Sequence, residues 1–181
     1  MAESSTRELL LDCVQVLSNY FQKVVMLRNV FCDDSQFMNI TIEHLQEELG
    51  HNLLLHKDRN ERPPVWDPIL EATCSWFAWK MFTLNDEQKT LLIHLVLETS
   101  ANIFFPIAKT ALCKYRRIQY LQIHDIDEKH EQMGKELLVK DISPEKLERL
   151  FLVQQQGWDI LNATCNRILS LTADNHPPLS N

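Results

Sequence analysis

The chain has little glycine, no paired cysteine motif and no long run of uncharged apolar residues. Only 3 of its 181 residues are glycine, and strand-rich folds need glycine in many of their turns. The five cysteines are widely spaced and include no C-x-x-C pair. This pattern argues against a zinc ribbon and favours reduced thiols in a cytoplasmic protein. The absence of any stretch of about 18 uncharged apolar residues argues against a membrane span.

Charge and length restrict the class of protein further. The formal net charge is −7, and no basic stripe stands out, so we expect no nucleic-acid partner. The first residues mix acidic and basic groups and lead into an amphipathic pattern, which is not typical of a secretory signal. A chain of this length is most simply one domain with its own core.

Apolar residues recur at helical spacing along most of the chain. Asp67-Pro68, Asn85 with Gln88, and Ser143-Pro144 have the form of helix starts. The pattern predicts helices over 5–31, 36–56, 68–82, 86–113, 116–139 and 144–171. We therefore predict an all-α fold, a single-domain helical bundle of about six to seven helices over 1–172 with a frayed tail over 173–181.

The second predicted helix carries a cluster of histidines and acids. His44, Glu47, Glu48 and His51 follow the spacing i, i+3, i+4 and i+7, which places them on one stripe of a helix. Two imidazoles and two carboxylates on one strip are what a metal site built from oxygen and nitrogen ligands requires. The alternative is an ordinary charged face in contact with solvent.

Two further clusters lie on other predicted helices. His94 and Glu98 are four residues apart in the apolar segment LLIHLVLETSANIFF, where a glutamate is costly to bury unless it is paired or binds a metal. His124, Asp127 and His130 follow at successive spacings of three, and Asp127 with His130 can chelate one ion. Carboxylate and imidazole ligands without sulfur suit iron or manganese, or zinc in a hydrolase.

Two other features are better explained by packing. Trp66, Trp76, Phe77 and Trp79 form an aromatic group on the third predicted helix, for which core packing is favoured over the lining of an apolar ligand site. Cys113 has no neighbour in sequence that would activate a thiol, so a structural cysteine is favoured over a nucleophile.

Four segments resemble the heme-oxygenase-like superfamily, which contains TenA-type thiaminases, the PQQ-synthesis oxidase and the heme-oxygenase-like diiron oxidases. They are HLQEELGH at 44–51, PILEAT at 68–73, HLVLETSA at 94–101 and IHDIDEKHEQMG at 123–134. The resemblance covers roughly residues 10–171 and is closest to the diiron oxidase branch. The superfamily often forms homodimers, which makes a dimer the expectation for this chain.

The resemblance implies a set of metal ligands. Glu47 or Glu48 with His51 would supply the first helix of the site, Glu98 the second, and Asp127 with His130 the third. His124 would be an additional histidine of the third helix. His44 stands where some diiron members carry a glutamate, and the helix predicted over 5–31 has only Glu8 as a glutamate.

A diiron oxidase or oxygenase acting on a small organic metabolite is the function that the resemblance implies. Iron is the expected metal, with manganese or zinc as alternatives. Trp76, Trp79, Phe104 and Phe105 would line the substrate pocket. Two alternatives stay open: a cofactor-free enzyme of the TenA kind acting on a thiamine-like heterocycle, with Cys113 in the active site, and a non-catalytic bundle that binds a ligand or partner.

Overall fold

A computed structural model describes residues 2–124 and 143–173, and every regular element within them is helical. This confirms the predicted all-α class. The elements are α1 (Ala2–Val30), α2 (Ser35–Glu48), α3 (His51–Asp58), α4 (Pro68–Thr83), α5 (Asp86–Leu92), a π-helical segment (Ile93–Glu98), α6 (Thr99–Leu112), α7 (Gln119–Ile123) and α8 (Pro144–Ala173).

Local capping explains where several helices begin. The carboxylate of Asp67 accepts hydrogen bonds from the backbone N–H groups of Ile69 and Leu70, and Pro68 occupies the first helical position of α4. Asn85 and Gln88 form the predicted capping box at the start of α5. Such caps satisfy N–H groups that the first turn of a helix leaves without an internal partner.

The predicted helix over 36–56 is wrong in one respect, because the structure divides it into α2 and α3. Gly50 has φ of +89°, a left-handed conformation that glycine adopts without steric cost. Its N–H donates to the side-chain oxygen of Gln22 over 2.6 Å. The break separates Glu48, the last residue of α2, from His51, the first residue of α3.

The central helix of the bundle widens into a π-helix between α5 and α6. This segment, Ile93–Glu98, carries both His94 and Glu98. Single π-helical turns within α-helices are rare and are frequent at functional sites. Helix α8 packs closely on the segment at Gly157, where an added Cβ would lie 2.7 Å from Leu92 Cδ1 and 3.1 Å from Val96 Cγ1.

The core lies between α1 and the helices around it. Helix α1 packs against α2, α3, α4 and α8, and α8 also covers α4, α5 and the π-helical segment. One core cluster is built around the π-helical segment and α8, and a second joins α1 to α3, α6 and α7. The π-helical segment, which carries His94 and Glu98, contributes to the first cluster, and α3 and α7 contribute to the second.

The continuous helix Asp86–Leu112 is long and apolar enough to cross a membrane, by length and composition alone. The same property is common in core helices of soluble proteins. Here Leu92, Ile93 and Val96 belong to the first core cluster, and Phe105 and Leu112 belong to the second. Packing inside the bundle therefore accounts for part of the apolar character of this helix, while Ile103 and Ile107 are exposed.

The sequence places the remaining boundaries with mixed success. The last helix begins at Pro144, as predicted from Ser143-Pro144. Of the helix predicted over 116–139, the structure describes only α7, and His124 follows its last residue. Residues 125–142 and 174–181 lie outside the described residues. The predictions for Asp127, for His130 and for most of the tail therefore stay predictions.

Candidate metal centre

Five of the predicted ligands converge from four segments, namely α2, α3, the π-helical segment and the end of α7. Glu48, His44 and Glu98 form one group, and Glu48, His51 and His124 form another. Within each group the candidate ligand atoms all lie within 4.8 Å of one another. Opposite ligands around one metal ion are separated by about 4 Å, twice a typical metal–ligand bond. Both groups therefore have the spacing that a metal ion needs.

Glu48 belongs to both groups, and Glu47 belongs to neither. The side chain of Glu48 is buried, whereas that of Glu47 is exposed. The sequence left these two glutamates as alternatives, and the structure brings Glu48 into the cluster.

The first group is almost completely buried. The Nε2 atom of His44 lies 2.8 Å from Oε1 of Glu98, and the two side chains are 1% and 8% exposed. Phe21 packs edge-on against the His44 ring with centroids 5.9 Å apart. This hydrogen bond holds an imidazole and a carboxylate together, and a metal ion would replace its proton.

The second group lies nearer the surface. Nδ1 of His51 is 3.0 Å from Oε2 of Glu48, and Nε2 of His124 is 3.8 Å from the same oxygen. Burial raises the pKa of Glu48, but hydrogen bonds and positive charge from His124 and His51 outweigh it and hold this pKa well below its usual range. Glu48 is therefore an ionised carboxylate at neutral pH, which is the form that binds metals.

His124 is oriented by its surroundings. Its Nδ1–H donates to the backbone carbonyl of Tyr120 over 2.7 Å, so Nε2 is the ring atom that faces Glu48 and would be the one to bind a metal ion. Such backbone hydrogen bonds commonly fix the tautomer of metal-binding histidines. The Phe105 ring stacks on His124 with centroids 4.3 Å apart.

Sequence reasoning missed several polar residues around the cluster. Tyr120 is buried, and its pKa is raised above the usual range, mainly by burial and also by the charges of Glu48 and Glu98, although a hydrogen bond with Ser18 lowers it. Its phenol therefore stays protonated beside the site. Arg28, which is 1% exposed, donates from Nη1 to Nε2 of His94 over 2.9 Å. No pattern in the sequence distinguishes these two residues from surface positions on a helix.

The predicted substrate pocket is not assembled as expected. Trp76 packs at the edge of the first core cluster and Trp79 is 56% exposed, whereas Phe104 and Phe105 pack with the second cluster. The reason is that α4 lies against α1 and α8, away from α6 and α7. Two surface cavities, of about 620 Å³ and 170 Å³, are lined by other residues.

Cys113 also lies apart from the cluster. It caps the end of α6 and packs at the edge of the second core cluster. The favoured sequence interpretation, a structural cysteine, agrees with this position.

Comparison with known proteins finds a similar rickettsial protein. No family model matches the chain, and no solved structure matches it. The chain is 36% identical over 163 residues to a protein of Rickettsia prowazekii (strain Madrid E) named "Uncharacterized protein RP592". The match covers 87% of this chain and 77% of the relative. The chain therefore belongs to the family of this rickettsial protein.

Proposed function

We propose that the protein is a metal-dependent oxidase or oxygenase with a non-heme diiron site, acting on a small organic metabolite. The observation that carries the proposal is the position of Glu48 between two sets of ligands. A carboxylate shared by two adjacent metal ions is the usual bridge in dinuclear sites of helical bundles. The heme-oxygenase-like resemblance points to the same chemistry, and manganese or zinc are the alternative metals.

The residues divide naturally between two ions. His44 and Glu98 would hold one ion, His51 and His124 the other, and Glu48 both. The resemblance adds Asp127 and His130 to the second set. A pair of reduced irons supplies the two electrons that dioxygen chemistry requires.

The chain itself orients the ligands and limits access of water. The Tyr120 carbonyl fixes the ring of His124, and Phe105 covers one face of that ring. The protonated Tyr120 phenol offers a hydrogen-bond donor near the two carboxylates. Phe21 packs edge-on against the ring of His44. We extend the proposal to a cytoplasmic homodimer, which the resemblance and the free cysteines support.

Metal analysis of protein expressed with added iron tests the proposal. We expect about two irons per chain, as in dinuclear sites, and a change in ultraviolet absorption when the reduced protein meets oxygen. Glu48→Gln should lose most of the bound metal, because it removes the ionised oxygen that both ligand groups share. Glu47→Gln is the matched control, and it should keep the wild-type metal content because Glu47 is exposed outside the cluster.

Two results would contradict the proposal. One is folded wild-type protein that takes up no metal at all, which would favour a non-catalytic bundle. The other is full metal content in Glu48→Gln together with loss in Glu47→Gln, which would place the ions elsewhere.

A further inference from the structure

Among the residues that the structure describes, the buried cation Arg28 has no ion-pair partner. Its side chain donates from Nη1 to His94 and from Nη2 to the hydroxyl of Thr90 over 3.0 Å. Its Nε is buried and has no hydrogen-bond partner within residues 2–124 and 143–173. Over the same residues, no carboxylate oxygen lies within 4.0 Å of its guanidinium nitrogens. A buried charge in this situation is costly unless an opposite charge acts on it from nearby.

The guanidinium keeps its charge at neutral pH. Burial lowers the pKa of Arg28 to about 10, against the effect of Cys32, Asp86 and Glu98, which raise it. A value of about 10 leaves the group protonated near pH 7. Glu98, one of the acids that acts on Arg28, is also a member of the candidate metal centre.

His94 does not cancel this charge. A guanidinium can only donate hydrogen bonds, so Nε2 of His94 must be the acceptor. A protonated imidazole has no acceptor nitrogen, and His94 is therefore neutral in this arrangement. Its ring centroid lies 5.1 Å from that of His44. The positive charge of Arg28 thus stands directly behind the His44 and Glu98 side of the metal centre.

We propose that Arg28 is an electrostatic positioning residue of this centre, acting from behind His94 to disfavour bound cations and to favour an anionic ligand or substrate there. The inference rests on the proposed function. A unit charge roughly 10 Å from a divalent ion, at an effective dielectric constant of about 20, changes the binding constant by about 100- to 300-fold. The same charge favours a bound monoanion by a smaller factor.

The experiment measures Co²⁺ binding to the metal-free protein and azide binding to the Co²⁺-loaded protein, both by visible absorption. In Arg28→Met, which removes the charge and keeps the length of the side chain, we expect Co²⁺ to bind about 10-fold tighter or more. Azide should bind about 10- to 20-fold more weakly. If the role of Arg28 were purely structural, Arg28→Met would bind Co²⁺ more weakly than the wild type, since a disturbed core would weaken metal binding.

Two variants serve as controls. Arg28→Lys keeps the charge, so we expect its affinities for Co²⁺ and azide to stay within about 3-fold of the wild type. Lys89→Met removes another buried cation, but Lys89 is already paired with Asp86 at 3.0 Å, so its Co²⁺ affinity should not rise. If Arg28→Met does not fold, Arg28→Gln, which keeps an amide donor for His94, carries the same expectation.

The outcomes separate this inference from the proposed function. Equal or weaker Co²⁺ binding in the folded charge-removing variant overturns the role of Arg28 and leaves the metal centre intact. Unchanged azide affinity overturns the preference for an anion. Wild-type protein that binds no Co²⁺ overturns the proposed function, and the role of Arg28 with it.

Discussion

At the scale of single residues, two buried acids are held ionised by their neighbours in different ways. His51 and His124 lower the pKa of Glu48 and so keep its carboxylate ionised, which is the form that binds metals. Asp67 is held by Arg167, whose Nε and Nη2 donate to Oδ2 over 3.0 and 2.7 Å. Its pKa is lowered, chiefly by this hydrogen bond. Asp67 thus serves stability, because it caps α4 and joins that helix to α8.

Replacing Asp67 by Asn tests this structural role. Asparagine caps helices about as well as aspartate, so the variant removes mainly the charged contact with Arg167. We expect a loss of about 1–2 kcal/mol in the free energy of unfolding at pH 7, measured by urea denaturation. A lowered pKa contributes stability above the unfolded value and loses it as the pH falls.

The difference between wild type and Asp67→Asn should therefore shrink below about pH 4, the ordinary range of aspartate. Asp33→Asn, at an exposed position, provides the control for general charge effects and should cost little. A difference that stays constant from pH 7 to pH 3 would show that the contact with Arg167 is not the cause.

The sequence indicates which residue types form the site, but not how each is oriented. His44, Glu98 and His124 are identified by polar residues at helical spacing within apolar segments. The sequence pattern does not identify Arg28, since an arginine near the end of an amphipathic helix ordinarily lies at the surface. Its burial depends on the approach of α5 and the π-helical segment, which is a long-range contact that local patterns do not encode.

At the scale of helices, the break at Gly50 sets the relation between the two ligand groups. Continuous helix would place Glu48 and His51 on one stripe, together with Glu47 and His44. The left-handed glycine redirects the chain, so that His51 begins α3 and turns toward His124, with ring centroids 4.9 Å apart.

Substitution of Gly50 tests the importance of this break. Alanine in a left-handed conformation costs about 1–2 kcal/mol, while asparagine tolerates it better. No heavy atom lies within 4 Å of a Cβ built at this position, so strain of the backbone is the only penalty expected there. We predict that Gly50→Ala lowers the free energy of unfolding by about 1–2 kcal/mol and reduces metal content.

Gly50→Asn is the matched control and should lie closer to the wild type in both measurements. Urea denaturation compares the free energies of unfolding of the two variants, and metal analysis compares their metal content. Equal stability of the alanine and asparagine variants would contradict the left-handed conformation of residue 50.

Helix starts were predictable, and helix irregularities were not. The caps at Asp67 and Asn85 depend on residues within four positions of each other, so the sequence carries the full signal. The glycine at 50 was a visible signal for a helix end, but the apolar pattern continues across it. The π-helical segment has no comparable signature, since the apolar pattern of Ile93–Glu98 is that of an ordinary buried helix.

At the scale of the whole molecule, the bundle brings polar ligands from distant parts of the chain into an apolar interior. Glu98 is separated from His44 by 54 residues in sequence and lies 2.8 Å from it in space. Two core clusters border the site and exclude solvent from its deeper half. The sequence pattern predicted this helical architecture, whereas the meeting of α2, α3, the π-helical segment and the end of α7 depends on long-range packing.

The most direct test is a crystal structure of the iron-loaded protein with anomalous scattering measured at the iron absorption edge. We predict two anomalous peaks on either side of the Glu48 carboxylate, one toward Glu98 and the other toward His124. A folded chain with these carboxyl and imidazole groups in place, and with no iron peak beside Glu48, would contradict it.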